Sequence, residues 1–266
     1  MKTISSQSAL PRAKKALGQH FLVDTYYIAR ILSAIRPEAG ERMVEIGPGP
    51  GALTRPLLQT LPHLDVVEVD REMVARLQAE FPPERLSVHA LDALMFDFAG
   101  LGPNLRVVGN LPYNISSPLL FHLAASAESI VDMTFMLQKE VVDRMAAAPD
   151  TPDYGRLSVM LQSRFKVTKL FTVPPGAFQP PPKVDSAIVR LVPLALSVVP
   201  YRDAKVFSEI VARAFGQRRK TLRNTWKGLV DDAVFAELNI DPQRRGETLS
   251  VIEFASVANS LEPAAS

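Results

Sequence analysis

Glu45-Ile46-Gly47-Pro48-Gly49-Pro50-Gly51-Ala52-Leu53-Thr54, residues 45–54, joins an apolar run to a helical pattern. The run before it, RMVEI at 42–46, reads as a buried strand, and 52–60 reads as a helix. A tight strand-to-helix turn does not need three alternating glycines and two prolines. Glycine lets backbone N–H groups come close to a ligand, so the loop marks a nucleotide-like cofactor. Read literally it also satisfies the G-x-G-x-x-[GA] dinucleotide pattern, so the loop alone leaves the cofactor open.

The alternation of strand and helix continues to about residue 192. Further strands are expected at 64–69, 86–90, 105–109, 131–137, 166–173 and 184–192. Helices are expected near 24–36, 52–60, 71–80, 117–126, 139–148 and 154–165. Short apolar strands alternating with helices imply a mostly parallel sheet covered on both faces. The last two strands have only a Pro-rich loop between them, which predicts an antiparallel hairpin at one sheet edge. Beyond residue 200 the pattern is helical only, at 203–215, 217–229, 231–238 and 250–261. The fold class is therefore α/β, a Rossmann-like seven-stranded sheet with a small C-terminal all-α domain. The boundary is placed near 198–202, giving 1–200, with a basic arm at 1–23, and 201–266.

Composition narrows the chemistry. Hydrophobic residues at 47% and charged residues at 22% are ordinary for a globular chain. With no cysteine there is no disulfide, no thiolate metal site and no covalent thiolate attack on a pyrimidine carbon. His20, His63, His89 and His122 lack metal-ligand spacing, so no metal is expected. No apolar run suits a membrane span or a secretory signal, and a soluble cytoplasmic protein is expected.

The net charge of +2 is unevenly spread. Residues 1–20 hold four bases and no acid, and 41–100 hold ten acids and five bases. Residues 202–227 hold eight bases and two acids. Basic ends around an acidic middle suit a small-molecule site beside surfaces that meet phosphate, although solvated helix faces explain the charge equally well.

Four positions carry the site. Glu68, 17 residues after Gly51 at the end of the second strand, can accept both ribose hydroxyls. Asp70 competes for that role but suits the N-cap of helix 71–80. Asp92, with Asp97 as its alternative, can accept from an adenine amino group after the third strand. Asn110-Leu111-Pro112-Tyr113 follows the fourth strand. A carboxamide oxygen and a backbone carbonyl can accept from a nucleobase amine and favour its tetrahedral, nucleophilic form. A following aromatic can stack on that base.

With these residues in place, the chain resembles the KsgA-type ribosomal RNA adenine dimethyltransferases, from about residue 14 to 225. The resemblance rests on KKALGQHFLVD (14–24), VEIGPGPGALT (44–54), VVEVD (66–70), VVGNLPYNISSPLLFHL (107–123), FMLQKEV (135–141), YGRLSVMLQ (154–162), VPPGAFQPPPKVDSAIVRL (173–191) and FGQRRKTLRN (215–224). Eight ordered blocks are far more specific than a glycine loop.

The resemblance implies S-adenosylmethionine as cofactor, contacted by His20, Leu22, Gly47, Glu68, Asp92 and Asn110. His20 stands where many members have asparagine. It implies that Asn110, Leu111 and Tyr113 hold the target base and that Phe178 closes over its other face. The substrate implied is two adjacent adenosines in a 3′-end hairpin loop of small-subunit rRNA, each methylated twice. Arg218, Arg219, Lys220 and Arg223 then read as a phosphate-contacting face. The expected partner is that rRNA within an assembling ribosomal particle, met by a monomer. Three rivals stay open: the related family acting on a large-subunit adenosine, a non-catalytic RNA-binding assembly factor, and a nicotinamide dehydrogenase. The last would need a Tyr-x-x-x-Lys or His–Arg set, which the sequence lacks.

Overall fold

The Val-, Ile- and Leu-rich runs of the first 193 residues form strands in a computed structural model that describes residues 11–14, 18–111, 115–195, 197–217 and 219–261. The strands are β1 (Phe21–Leu22), β2 (Arg42–Ile46), β3 (Leu64–Val67), β4 (Leu86–His89), β5 (Leu105–Asn110), β6 (Ile130–Gln138), β7 (Phe165–Val173), β8 (Phe178–Gln179) and β9 (Ser186–Pro193). Helices α1 (Thr25–Ile35), α2 (Thr54–Thr60), α3 (Arg71–Glu80), α4 (Ser116–Ala125), α5 (Lys139–Ala146) and α6 (Arg156–Gln162) alternate with them. The C-terminal helices are α7 (Ala204–Gly216), α8 (Leu222–Thr225), α9 (Asp232–Glu237) and α10 (Val251–Ser260).

Seven strands form one sheet in the order β4-β3-β2-β5-β6-β9-β7. Neighbours are parallel except at β9, which runs antiparallel to both β6 and β7. The α/β expectation holds, as does the antiparallel pair at one edge. Strand order reverses at β2 and β5, and an open α/β sheet binds ligands at the carboxyl ends of such strands. Those two ends are pinched together. A side chain at Gly109 would place its Cβ 2.4 Å from the Ile46 carbonyl oxygen, so only glycine fits there.

Each face has its own core. Ile31 and Ile35 of α1, Leu57 of α2 and Leu77 of α3 pack with Val66, Val108, Met136 and Ile188. Leu119 and Leu123 of α4, Met145 of α5 and Leu161 of α6 pack with Val107, Phe135 and Val189 on the other face. Burying a side chain of this size contributes about 1.5–3 kcal/mol, which fixes the strand ends on which the site is built. A third core, around Trp226, Phe207 and Phe254, holds the C-terminal helices and takes in Tyr154 and Val159 from before residue 200.

One helix departs from expectation. Among the described residues of 217–229, the helix is limited to the single turn of α8. The Leu222 and Arg223 N–H groups donate to the carbonyls of Arg244 and Pro242, so the backbone is pinned to the 242–244 turn instead of extending a helix. Gly228, at φ +77°, ends the segment. A two-stranded sheet of β1 and β8 is the other surprise, since two-residue strands have no readable period.

Candidate active site

The glycine loop leaves β2 with Gly47, Gly49 and Gly51 at φ +65°, +52° and +89°, backbone that disfavours any side chain. Glu45, just before it, is buried, and its carboxylate accepts from the Thr54 hydroxyl at 2.6 Å. Burial pushes its pKa up to about 7, against the lowering effect of the Thr54 bond and with the Glu68 charge adding to the rise. Glu68, next after β3, is also buried. Its carboxylate accepts from the Gly49 N–H at 3.2 Å and the Asp70 N–H at 2.9 Å. Burial raises its pKa, and those two N–H bonds oppose the rise.

A short N-terminal segment crosses this corner. Asp70 caps α3 through the Glu72 N–H at 3.0 Å, as the sequence suggested. The same carboxylate accepts from Lys14 Nζ at 2.5 Å and from Gln19 Nε2 at 2.9 Å. Burial pushes the Asp70 pKa upward, but the Lys14, Gln19 and Glu72 donors outweigh it and hold the carboxyl below its ordinary value. The His20 carbonyl accepts from Asn110 Nδ2 at 3.1 Å. The His20 ring turns the other way, with Nδ1 2.8 Å from the Pro180 carbonyl. A carbonyl can only accept, so Nδ1 carries the proton. Phe21 and Leu22 then pair with Gln179 and Phe178, and the Phe21 ring lies against Gly49. Lys14 and residues 19–22 thus bond to Asp70, to the Asn110 amide and to residues 178–180.

The expected site residues fall as follows. His20, Leu22, Gly47, Glu68 and Asn110 converge on the carboxyl ends of β2, β3 and β5. Leu111 is buried next to them, and its N–H donates to the Met136 carbonyl at 3.1 Å. Phe178 is only 4% exposed and packs in the α1-face core, so its ring is not an open platform in this arrangement. Asp92 is exposed and accepts from its own turn at the Leu94 N–H, 2.9 Å away. Asp97 does likewise with the Gly100 N–H. Tyr113 and Arg218 lie outside the described residues. Arg219 and Lys220 are exposed. Arg223 faces Asp232 at 2.8 Å. Lys14 and Gln19 lie in the KKALGQHFLVD block and Glu45 opens the glycine motif, but the sequence assigns none of the three a role in the site.

The donor set distinguishes cofactors. A small cavity of about 30 Å³ lies among Phe21, Leu22, Glu45, Gly47, Leu53 and Asn110. Its walls carry a carboxylate and an amide, and no lysine or arginine among the described residues. A pyrophosphate here would meet the Glu45 carboxylate in the cavity wall and the Glu68 carboxylate that accepts from the Gly49 N–H. A sulfonium with an ammonium suits them. The reversed β9 between β6 and β7, the acid after β3 and the amide ending β5 define an S-adenosylmethionine-dependent methyltransferase.

The sequence matches the family described as "Ribosomal RNA adenine dimethylase" over residues 11–262. It is 59% identical over 250 residues to a ribosomal RNA small subunit methyltransferase A from Aromatoleum aromaticum, covering 94% of each chain. A protein of the same name from Thiobacillus denitrificans is 58% identical, over 93% of this chain and 97% of its own. Among solved structures, a dimethyladenosine transferase from Plasmodium falciparum superposes with a TM-score of 0.79 at 26% identity, over 90% of this chain and 96% of that one. The 23S rRNA methyltransferase ErmE shares the fold at 24% identity, with a TM-score of 0.69 over 91% and 99%. The chain belongs to the ribosomal RNA adenine dimethylase family.

Proposed function

We propose that this enzyme methylates N6 of two adjacent adenosines in a hairpin loop near the 3′ end of small-subunit rRNA, twice each. It acts as a cytoplasmic monomer on an assembling particle, with residues 1–200 carrying the chemistry and 201–266 forming the helical domain. The observation that carries this reading is the orientation of Asn110. Its amide nitrogen is committed to the His20 carbonyl, which leaves Oδ1 as the acceptor.

Bound S-adenosylmethionine supplies an electrophilic methyl group on a sulfonium. Glu68 takes the ribose hydroxyls, Asp92 the adenine amine, and Gly47, His20 and Leu22 line the rest. An adenosine amine is a weak nucleophile because its lone pair is delocalised into the ring. In the first transfer Asn110 Oδ1 and the Leu111 carbonyl accept its two hydrogens, in the second one of them accepts the single hydrogen left, and each time they draw nitrogen toward a tetrahedral geometry. The new N–CH₃ bond forms as the S–CH₃ bond breaks, and the amine proton leaves to solvent. Tyr113 holds the extruded base by stacking, and Phe178 closes over its other face after its ring leaves the core packing it has without RNA. Arg218, Arg219, Lys220 and Arg223 meet phosphates. No helix among the described residues is long and apolar enough to cross a membrane.

The test is labelled methyl transfer into small-subunit particles lacking the mark, with the product mapped as N6,N6-dimethyladenosine. Label in a large-subunit adenosine, or none, refutes the reading.

A further inference from the structure

The upper edge of the sheet carries a second aromatic cluster that the methyl-transfer site does not use. The Arg30 guanidinium lies 4.0 Å from the Phe171 ring centre and 5.6 Å from that of Tyr26. Tyr26 stands edge-on to Tyr27 at 5.2 Å and is 61% exposed. Arg30 has no carboxylate partner among the described residues, so its charge is balanced only by ring faces.

The cluster is aligned with the methyl-transfer site. Asn110 pairs with Met136, Met136 with Ile188, and Ile188 with Phe171, so one row crosses four strands. Met136 and Ile188 are in the α1-face core and Phe171 packs against it. Strands are about 4.8 Å apart, so Phe171 lies roughly 14 Å from Asn110 along that row. A bulge makes this possible. Leu170 is the extra residue between Lys169 and Phe171, and it shifts Phe171 onto the α1 face. The first turn of α1 reaches the same rim, because the Val23 N–H donates to the Ala177 carbonyl at 2.9 Å, next to Phe178.

An exposed tyrosine ring beside a guanidinium with no carboxylate partner is what a base of single-stranded nucleic acid stacks upon. Resting on the proposed methyl transfer, we propose that Tyr26 and Arg30, the latter backed by the Phe171 ring, form a second stacking site for an unpaired nucleotide of the same RNA strand, beside the target adenosine. The site holds the strand while the target base is extruded, so it acts on RNA affinity and leaves the chemical step alone.

The experiment compares Tyr26→Ala, Arg30→Lys and Arg30→Ala with the parent enzyme on small-subunit particles lacking the mark. It measures particle dissociation constant, KM and kcat, cofactor affinity by calorimetry, and thermal midpoint. Tyr26→Ala is expected to raise the particle dissociation constant and KM about tenfold, the scale of one lost base stack, with kcat and cofactor affinity unchanged. Arg30→Lys keeps the charge but loses the planar face, so it should resemble Arg30→Ala. Parent-like affinity in Tyr26→Ala overturns the proposal. So does full rescue by lysine at 30, which reduces the site to charge, and so does an affinity loss that only tracks a lower thermal midpoint. If the parent binds the particle but methylates no adenosine, the methyl-transfer reading fails while weakened binding by the variants still supports the stacking site.

Discussion

The Asn110 side-chain nitrogen donates to the backbone carbonyl of His20 at 3.1 Å, across 90 residues of sequence. The bond sets which end of the amide faces the methyl-transfer corner. Asn110→Ala removes the acceptor and should lower turnover by about 10²–10³-fold, the usual cost of one preorganised polar group at a reacting centre. Asn110→Asp keeps the shape but sets a carboxylate oxygen against the His20 carbonyl, so it should fail nearly as badly. Labelled transfer measures both, and far-ultraviolet circular dichroism should show an unchanged fold. Near-parent turnover in either variant would mean that the Asn110 amide does not activate the target amine.

Asp70 links the N-terminal segment to the ribose acid. Its carboxylate holds Lys14 and Gln19, while its N–H holds Glu68. Gln19→Ala should therefore weaken cofactor binding several-fold, the cost of about one hydrogen bond, with kcat at saturation retained. Glu68→Ala should weaken it much further. Calorimetric titration with S-adenosylmethionine separates the two, and equal affinities for Gln19→Ala and the parent would show that the clasp is only structural.

Much of this was legible in the chain. Strands such as RMVEI and LRVVG are short apolar runs that only a covered sheet accommodates, and the loop at 47–51 needs glycine at three positive φ angles. Asp70 was readable as a cap because capping is local. The clasp was not, because Lys14 and Gln19 meet Asp70 across more than 50 residues, and no spacing rule spans that gap. The helix expected at 217–229 failed for the same reason. The 242–244 turn takes the N–H groups that helical periodicity assigns to α8. The role of Phe178 over the target base is what the resemblance implies, and its pairing with Leu22 and place in the core were not legible, because the partner is far away in sequence.

Glu45 makes stability depend on pH. Its folded-state pKa of about 7 exceeds the ordinary 4.5, so the folded state binds the proton more tightly than the unfolded chain. Stability should fall as pH rises from about 4.5 to about 7 and level off above, with the gap capping the loss at about 3 kcal/mol. Glu45→Gln keeps an acceptor for Thr54 and removes the charge, so it should melt several degrees above the parent at pH 8 and match it near pH 4.5. A cationic cofactor beside this carboxyl favours its ionised form. Cofactor binding should then release part of a proton below pH 7, which calorimetry in buffers of different ionisation enthalpy detects. A parent and variant with identical pH–melting curves would contradict the assignment.

Arg219 and Lys220 are exposed, whereas Arg223 faces Asp232 at 2.8 Å. That difference predicts unequal effects on RNA binding. Each phosphate neutralised contributes close to one unit to the slope of log affinity against log salt. Replacing Arg219 and Lys220 together by alanine should flatten the slope for small-subunit particles by about two. Arg223→Ala should change it less, because Asp232 already offsets that charge and its removal leaves an acid facing the RNA. Asp232→Ala should instead steepen the slope by freeing Arg223. Binding measured at several potassium concentrations decides this. If the double variant keeps the parent slope, these two residues do not meet phosphate, and the electrostatic contact must come from other bases, such as those of the N-terminal arm.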